Sequence, residues 1–373
     1  MTEKLKNLLH ERAAAVDFAV PDVDSLTRAG DRRRRRRTAA IVAGSVAVLA
    51  VVGGAVALPQ LVGGDGSPEP AGGTTQTPAL SWVMGRTLYA PELPGGQVDL
   101  GHDVRAYVRT EAGFVFADPD GTVWSWTDGS ETRVGSTDAQ DPHLVSDTDG
   151  TLAGWLDSGS GSGKPAYVVL DQATGDTTSY DDQPAGSSDA AGPGSSPYFY
   201  ALDGRTAYWR DARGAVATDL DTGDATVVDP RTNGDVDISA AEDGLVAFTG
   251  TNGTSIGRTP DTAKELKYSF GGPAAFSPDA RWFTEDADEP KVYDTEFGEK
   301  VALDLQYNFA SGYGWLDDST LLLLGQDGWR DKVELLSCTV PAGTCKTLEP
   351  SLGTFNQLDR EGFALPVGSP MGQ

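Results

Sequence analysis

One motif recurs seven times between residues 113 and 362, and it constrains the fold more than any other feature of the chain. In each copy a polar or acidic residue and a small residue precede a run of aromatic, β-branched or leucine residues, which is typical of a turn followed by a strand. The small residues are Gly113, Gly150, Gly204, Gly244, Ala280, Ser319 and Gly362. Their mean spacing of about 41.5 residues matches the blade of a β-propeller, in which four antiparallel strands form one repeat.

The period therefore predicts an all-β fold, a β-propeller, over residues 81–373. One interval is 54 residues long because a Gly- and Ser-rich stretch at residues 181–194 interrupts it, and this composition indicates a loop. A β-sandwich of similarly short strands is the alternative, although nothing in a sandwich requires a constant period.

The number of blades depends on how the ring closes. Six copies of the motif belong to full repeats, whereas the copy at Gly362 begins only the inner half of a seventh. We expect residues 86–89 and 97–100 to supply its outer strands, because closure with strands from both ends removes exposed sheet edges. The sequence favours seven blades, with six as the alternative.

The segment Phe276-Ser277-Pro278-Asp279 resembles the F-S-P-D-G motif of TolB-like and WD40-like propellers. Ala280 stands in place of the usual glycine, which indicates either a less demanding φ at this position or a degenerate repeat. The resemblance extends over roughly residues 80–368. It implies a propeller architecture and says little about function.

The charge pattern divides the rest of the chain. The net charge is −26, yet residues 1–37 carry +4, and no charged residue occurs from Thr38 to Gly64. Residues 38–58 are long enough and apolar enough for one transmembrane helix. The six basic residues before it hold its N-terminal end in the cytoplasm by the positive-inside rule. These topology determinants are Arg32, Arg33, Arg34, Arg35, Arg36 and Arg37.

We therefore expect four parts: a basic cytoplasmic tail at 1–37 with a short amphipathic helix, a signal-anchor helix at 38–58, a Pro/Gly/Ser/Thr linker at 59–80, and a propeller outside the cytoplasm at 81–373. A cleaved signal peptide is the alternative, because Ala55-Val56-Ala57 matches a cleavage site. A buried core helix is a further alternative. The arginine run could also be read as a nucleic-acid patch, although anionic-lipid contact suits its position better.

Few residues point to chemistry. Cys338 and Cys345 flank a predicted hairpin, and outside the cytoplasm they are expected to form a cross-strand disulfide. Aspartate-rich turns at 118–121, 147–150 and 219–224 offer oxygen ligands for Ca²⁺, but none has the full EF-hand spacing.

The segment 253–257 formally matches G-x-S-x-G, yet no histidine follows residue 143 to complete a triad. We therefore predict no catalytic residue and no cofactor, and we interpret His102 and His143 as surface or turn residues.

These features favour a non-enzymatic, single-pass cell-membrane protein whose acidic propeller binds a protein or ligand outside the cytoplasm. The −30 charge after residue 37 favours a cationic partner or divalent ions and argues against nucleic acid as a partner of the propeller. The N-terminal segment is similar to small actinobacterial membrane proteins associated with extracytoplasmic-function sigma factors, which implies a transmembrane signalling role as one alternative. A hydrolase or lyase on a propeller scaffold is another. The sequence does not indicate an oligomeric state.

Overall fold

The computed structural model describes residues 80–147, 149–157, 165–181, 197–211, 213–230, 236–250, 253–266, 274–286, 289–328 and 330–370. The first half of this part contains strands β1 Trp82–Met84, β2 Thr87–Tyr89, β3 Gln97–Asp99, β4 Ala106–Thr110, β5 Gly113–Ala117, β6 Thr122–Thr127, β7 Ser130–Ser136, β8 Leu144–Ser146, β9 Leu152–Asp157, β10 Ala166–Asp171, β11 Asp176–Asp181, β12 Tyr198–Asp203, β13 Thr206–Asp211, β14 Gly214–Asp219 and β15 Ala225–Asp229.

The second half contains β16 Val236–Glu242, β17 Leu245–Gly250, β18 Gly253–Gly257, β19 Lys264–Glu265, β20 Ala274–Phe276, β21 Trp282–Asp286, β22 Pro290–Asp294, β23 Lys300–Val301, β24 Phe309–Asp317, β25 Thr320–Gln326, β26 Lys332–Thr339, β27 Thr344–Thr354, the helix α1 Phe355–Glu361, and β28 Phe363–Ala364. Two short 3₁₀ turns lie at Pro94–Gly96 and Pro260–Thr262.

The described strands form seven four-stranded antiparallel sheets, and six of these are contiguous in sequence. We number them blades 1 to 6, from β4–β7 to β24–β27. The first strand of each of these blades contacts the first strand of the next, so these strands line the centre of a ring. The predicted all-β propeller is therefore confirmed, with seven blades.

Blade 7 closes the ring with strands from both ends of the described chain. Its order is β28-β1-β2-β3, and β28 pairs with β1 through Val83↔Ala364 and Met84↔Phe363. The expected closure is confirmed, but the C-terminal part supplies one strand rather than half a blade. The motif copy at Gly362 is also not equivalent to the other six, because it precedes an innermost strand whereas theirs precede the second strand of each blade.

The turn at Ala280 corrects one expectation. Ala280 has φ +56°, so the position requires the left-handed conformation even though alanine occupies it. The backbone N–H of Ala280 donates to the carbonyl of Ser277 at 2.7 Å, and the Ser277 hydroxyl oxygen accepts the N–H of Trp282 at 2.9 Å. These bonds hold the turn without the glycine of the F-S-P-D-G motif.

Aromatic side chains fill the space between neighbouring blades. Tyr107, Phe116, Trp155, Tyr167 and Phe199 are almost completely buried. Gly154 lies where blade 3 packs on blade 2, and a Cβ there would come within 2.5 Å of the Phe199 ring. Glycine in a strand costs stability, but here it permits the close approach of a ring from the next blade.

Turns of neighbouring blades are linked by carboxylates. Asp203 of blade 3 accepts the backbone N–H groups of Asp243 and Gly244 from the equivalent turn of blade 4, at 3.1 and 2.7 Å. Asp147 of blade 2 accepts the N–H of Gly204 from blade 3 in the same way. The Asp-Gly turns thus connect blades as well as strands.

Gln172 connects blades 1 and 2 through a buried amide. Its Nε2 donates to the Phe114 carbonyl at 2.9 Å, the Ser125 hydroxyl at 3.0 Å and the Trp126 carbonyl at 3.1 Å. Its Oε1 accepts the Thr110 hydroxyl at 2.5 Å. One side chain therefore hydrogen-bonds to polar groups of three strands of blade 1. Without Gln172 those groups would stay buried and would lose these hydrogen bonds.

Gln172→Ala is expected to lower the free energy of unfolding by about 2–4 kcal/mol, because it orphans several buried polar groups at once. Urea unfolding followed by tryptophan fluorescence measures this change. Gln97→Ala, at an exposed position of β3, is the matched control and should change stability by less than about 0.5 kcal/mol. Equal effects of the two substitutions would contradict the role given to Gln172.

Within residues 80–370, apart from the gaps given above, no helix is long and apolar enough to cross a membrane. The predicted cytoplasmic tail, with its arginine run, and the predicted span at 38–58 lie outside the described residues, as does nearly all of the predicted linker.

Candidate binding site on the upper face

We call the face at which the innermost strand of each blade begins the upper face, and the opposite face the lower face. The antiparallel order places the start of each innermost strand beside the end of its second strand, as for Tyr198 and Arg210. Residues distant in sequence therefore meet on this face.

The C-terminal tail lies along the inner edge of blades 1 and 2. The N–H of Gly368 donates to the Tyr107 carbonyl at 2.9 Å, and its carbonyl accepts the N–H of Leu144 at 2.8 Å. Gly368 has φ +76°, and a Cβ there would lie 1.8 Å from the Leu144 oxygen, so only glycine fits. The tail therefore covers the inner edges of blades 1 and 2 at Tyr107 and Leu144.

Next to this tail, aromatic and charged side chains of blades 2, 3 and 4 form one cluster, which we call the aromatic cluster. Its members are His143, Tyr198, Tyr200, Arg210 and Asp237. The His143 and Tyr198 rings are stacked with centroids 4.7 Å apart. The Arg210 guanidinium lies 5.9 and 5.8 Å from the Tyr198 and Tyr200 ring centroids.

Asp237 fixes the position of this guanidinium from blade 4. One carboxylate oxygen of Asp237 accepts both Nη1 of Arg210 at 2.7 Å and the Tyr200 hydroxyl at 2.8 Å. The Arg210 side chain is 14% exposed and the Asp237 side chain 48% exposed. The ion pair therefore has a buried cation and an accessible carboxylate.

His143 is held in one tautomer by blade 3. Its Nε2 lies 2.9 Å from the Phe199 carbonyl oxygen, so this nitrogen carries the proton and donates. Burial lowers the pKa of His143, against the opposing effects of that carbonyl and of Asp141. The imidazole is thus neutral at pH 7, and the cluster gains no positive charge from it.

Tyr198 is the aromatic residue of the cluster that reaches solvent most, with 38% of its surface exposed. Partial burial, followed by the negative charges of Asp141 and Asp237, raises its pKa to about 12. A neutral phenol thus lies within the field of two carboxylates, of which Asp237 is paired with Arg210, whereas Asp141 forms no ion pair among the described residues. An aromatic face beside an unpaired carboxylate attracts a cation.

The sequence-predicted site residues lie elsewhere. Cys338 and Cys345 are direct partners across the β26–β27 hairpin, joined by a disulfide with a Cα–Cα distance of 4.0 Å. The motif at 253–257 is strand β18, not the strand-to-helix turn that a nucleophile elbow requires. His102 stacks on Trp124 at 4.1 Å and contacts Glu131 at 2.9 Å, within blade 1 and its flanking loop.

The aspartate-rich turns at 118–121 and 219–224 use their carboxylates mainly to cap their own backbone. Asp118 accepts the N–H groups of Asp120 and Thr122, each at 2.9 Å, and Asp219 accepts those of Asp221 and Thr222 at the same distance. Across the ranges that the structure describes, no three His, Cys, Asp or Glu side chains converge in a way that could hold a metal ion.

Asp147, in the turn at 147–150, is different because it is buried. It is 5% exposed, and its Oδ1 has no hydrogen-bond partner within the described part of the chain. Burial first, then the negative charge of Asp149, raises its pKa to about 7. Asp203 and Glu111 add to the repulsion, and the Gly204 N–H opposes it. The blade-connecting carboxylate therefore carries a cost whenever it is ionised.

Asp147→Asn is expected to make stability less dependent on pH. Because the folded-state pKa of Asp147 is raised, the stability present when it is protonated is lost as pH rises from about 4 through 7. Relative to the parent, the variant should gain about 2–4 kcal/mol in the free energy of unfolding between pH 4 and 8, at about 1.4 kcal/mol per pKa unit.

Urea unfolding at intervals of one pH unit measures this gain. The exposed Asp120→Asn serves as the control and should follow the parent at every pH. A parent and an Asp147→Asn variant whose stabilities stay parallel from pH 4 to 8 would contradict the raised pKa.

No family profile matches the chain, and no curated protein matches it. Several solved structures are similar in fold. The computationally designed protein Ika8 is 14% identical with a TM-score of 0.47, over 70% of this chain and 79% of that protein.

Two natural proteins are similar at the same level. A puromycin-hydrolyzing peptidase of Mycobacterium tuberculosis is 16% identical with a TM-score of 0.45, over 76% of this chain. The alignment spans only 55% of that peptidase. TolB from Acinetobacter baumannii is 14% identical with a TM-score of 0.39, over 71% of this chain and 68% of TolB. At these values the comparisons carry no functional argument, and the propeller assignment rests on the strand order.

Proposed function

We propose that the chain is a single-pass membrane protein that presents its propeller outside the cytoplasm and binds a cationic segment of a partner protein on the upper face. The observation that carries the binding proposal is the exposed Tyr198 ring, which stacks on His143 and feels the negative charges of both Asp141 and Asp237. The membrane position is supported by the uncharged stretch at 38–64 behind six arginines.

Charge supports a cationic partner in two ways. The chain after residue 37 carries −30, which attracts a basic partner over distances set by the Debye length. At short range, Arg210 neutralises Asp237, whereas Asp141, whose charge also acts on Tyr198, has no ion pair within the part of the chain that the structure describes. A lysine or arginine side chain that contacts Tyr198 gains both a cation–π and a Coulomb contact.

Rigidity supports binding at this place. The Tyr200 hydroxyl and Arg210 of blade 3 each donate a hydrogen bond to Asp237 of blade 4. His143, just before blade 2, is held by its hydrogen bond to the Phe199 carbonyl of blade 3. The cluster therefore joins three blades and is preorganised, so a partner loses little affinity to the ordering of side chains on the propeller.

Cells that express the full chain test location and site together. A fluorescent peptide of four Lys-Gly repeats should bind intact cells more strongly than a Gln-Gly peptide, and more strongly than it binds cells without the chain. Binding should weaken as salt rises. The double variant Tyr198→Ala, Asp141→Asn should lower peptide affinity at least fivefold, because the ring and the unpaired charge are both lost.

Asp224→Asn, an exposed carboxylate of a lower-face hairpin, is the matched control and should leave affinity unchanged. Binding in lysed but not in intact cells would contradict the location. Equal effects of the control and the double variant would contradict the upper-face site.

A further inference from the structure

A separate groove lies at the lower side between blades 2 and 3. It has a volume of about 240 Å³. Blade 2 contributes its wall through β9, β10 and β11, and blade 3 contributes two turns. The lining residues that matter here are Leu152, Val169, Asp171, Asp176, Arg205 and Leu220. It shares no residue with the aromatic cluster, and the following inference does not depend on the proposed function.

The inner part of this groove is apolar. Leu152 and Val169 are 4% and 5% exposed, and Leu220 approaches from the opposite blade. Its outer part is polar, with the threonine side chains Thr174 and Thr178 along one wall. A ligand that fits has an aliphatic stem and a polar head.

The charge of the head follows from the carboxylates. Asp171 and Asp176 are direct cross-strand partners, so their side chains leave the same face of the β10–β11 hairpin, where like charges repel. Arg205, the cation in the lining, is engaged by Asp221 at 2.8 Å. The groove therefore has two carboxylates that its own arginine does not neutralise, and it favours a positive head group.

The two carboxylates differ in what they already bind. Oδ1 of Asp171 accepts the Thr151 hydroxyl at 2.8 Å and the Ala173 N–H at 3.1 Å, which leaves Oδ2. The Asp176 carboxylate accepts no hydrogen bond from the described residues. Acceptor sites on both sides of the hairpin are thus open to a donor.

Blade 3 supplies an internal comparison. Its hairpin at 219–224 repeats the D-x-x-T-G-D pattern of 171–176, with the same Gly-to-Asp backbone bond at 2.8 Å in each turn. Asp171 and Asp219 therefore share a structural role in the turn. Asp224, the counterpart of Asp176, does not line the groove. The two residues hold the same position in similar hairpins, and they differ in that Asp176 alone of the pair lies at the groove.

We propose that this groove binds the side chain of a lysine from a protein partner, with the stem against Leu152 and Val169 and the ammonium between Asp171 and Asp176. The volume is below the roughly 300–1,000 Å³ of small-molecule pockets and suits one side chain. A compact ammonium with three donors serves two carboxylates, whereas the planar fork of arginine matches one.

The full-length protein titrated with Nα-acetyl-lysine N-methylamide tests this, with backbone amide shifts of Thr178 and Leu220 as the signal. We expect saturable shifts, and at least fivefold weaker binding of the norleucine analogue, which keeps the stem without the ammonium. Asp176→Asn should weaken lysine binding at least threefold, whereas Asp224→Asn should leave it unchanged. The Tyr198→Ala, Asp141→Asn variant should also keep the binding of the lysine derivative. A failure of the upper-face site can therefore be told apart from a failure of the groove.

A second pair of variants keeps the test valid if Asp176→Asn perturbs the hairpin. Thr178→Lys places an ammonium within the groove and should abolish binding of the lysine derivative while raising the midpoint of thermal unfolding. Thr178→Gln should do neither. Equal binding of the norleucine analogue, equal effects of Asp176→Asn and Asp224→Asn, or tenfold tighter binding of free cadaverine than of the lysine derivative would overturn the proposal.

Discussion

The pairing of β28 with β1 is the contact on which the rest of the molecule depends. Only two residue pairs form it, Val83↔Ala364 and Met84↔Phe363, yet it completes blade 7 from both ends of the described chain and closes the row of blades into a ring. Neighbouring contacts support it: the N–H of Gly85 donates to the Gly362 carbonyl at 3.1 Å, and Leu358 and Leu365 are fully buried beside it. Because closure fixes the angle between all blades, it also fixes every site that lies between two of them.

The aromatic cluster and the groove both lie between blades. The aromatic cluster takes residues from blades 2, 3 and 4, and the groove takes residues from blades 2 and 3. Their geometry is maintained by inter-blade polar contacts such as the Gln172 amide and the Asp203 carboxylate. A propeller of this sort combines strong local hairpins with a modest number of bonds between them, so the loss of one bond between blades affects the site as well as the stability.

Much of the architecture could be predicted from the sequence because it repeats. The period of about 41.5 residues predicts the size of a blade, and the repeated turn motif predicts the positions of the second strands in six blades. Closure by segments from both ends followed from the edge-strand argument. The Gly362 copy was misaligned because a two-residue strand has too little sequence to show its place in a blade. At Ala280 the residue type pointed away from a left-handed φ that the Ser277 bonds nevertheless impose.

The sites were not predictable in the same way. His143, Tyr198, Arg210 and Asp237 have no motif spacing. The sequence shows no partner for the His143 ring, because Tyr198 lies 55 residues later. Aligned repeats do place Tyr198 and Asp237 at matching starts of innermost strands, and this was the available signal. Nothing in the sequence distinguishes the hairpin of Asp171 and Asp176 from that at 219–224, since the groove beside it depends on side chains of the next blade.

Cysteine cross-linking tests the ring closure most directly. Val83→Cys with Ala364→Cys joins direct cross-strand partners and should form an intramolecular disulfide under mild oxidation, identified by peptide mapping of the monomer. Val83→Cys with Phe363→Cys should not, because a shift of one residue turns the side chain to the other face of the sheet. Failure of the first pair to link, or equal linkage of both pairs, would contradict a seven-bladed ring closed in this register.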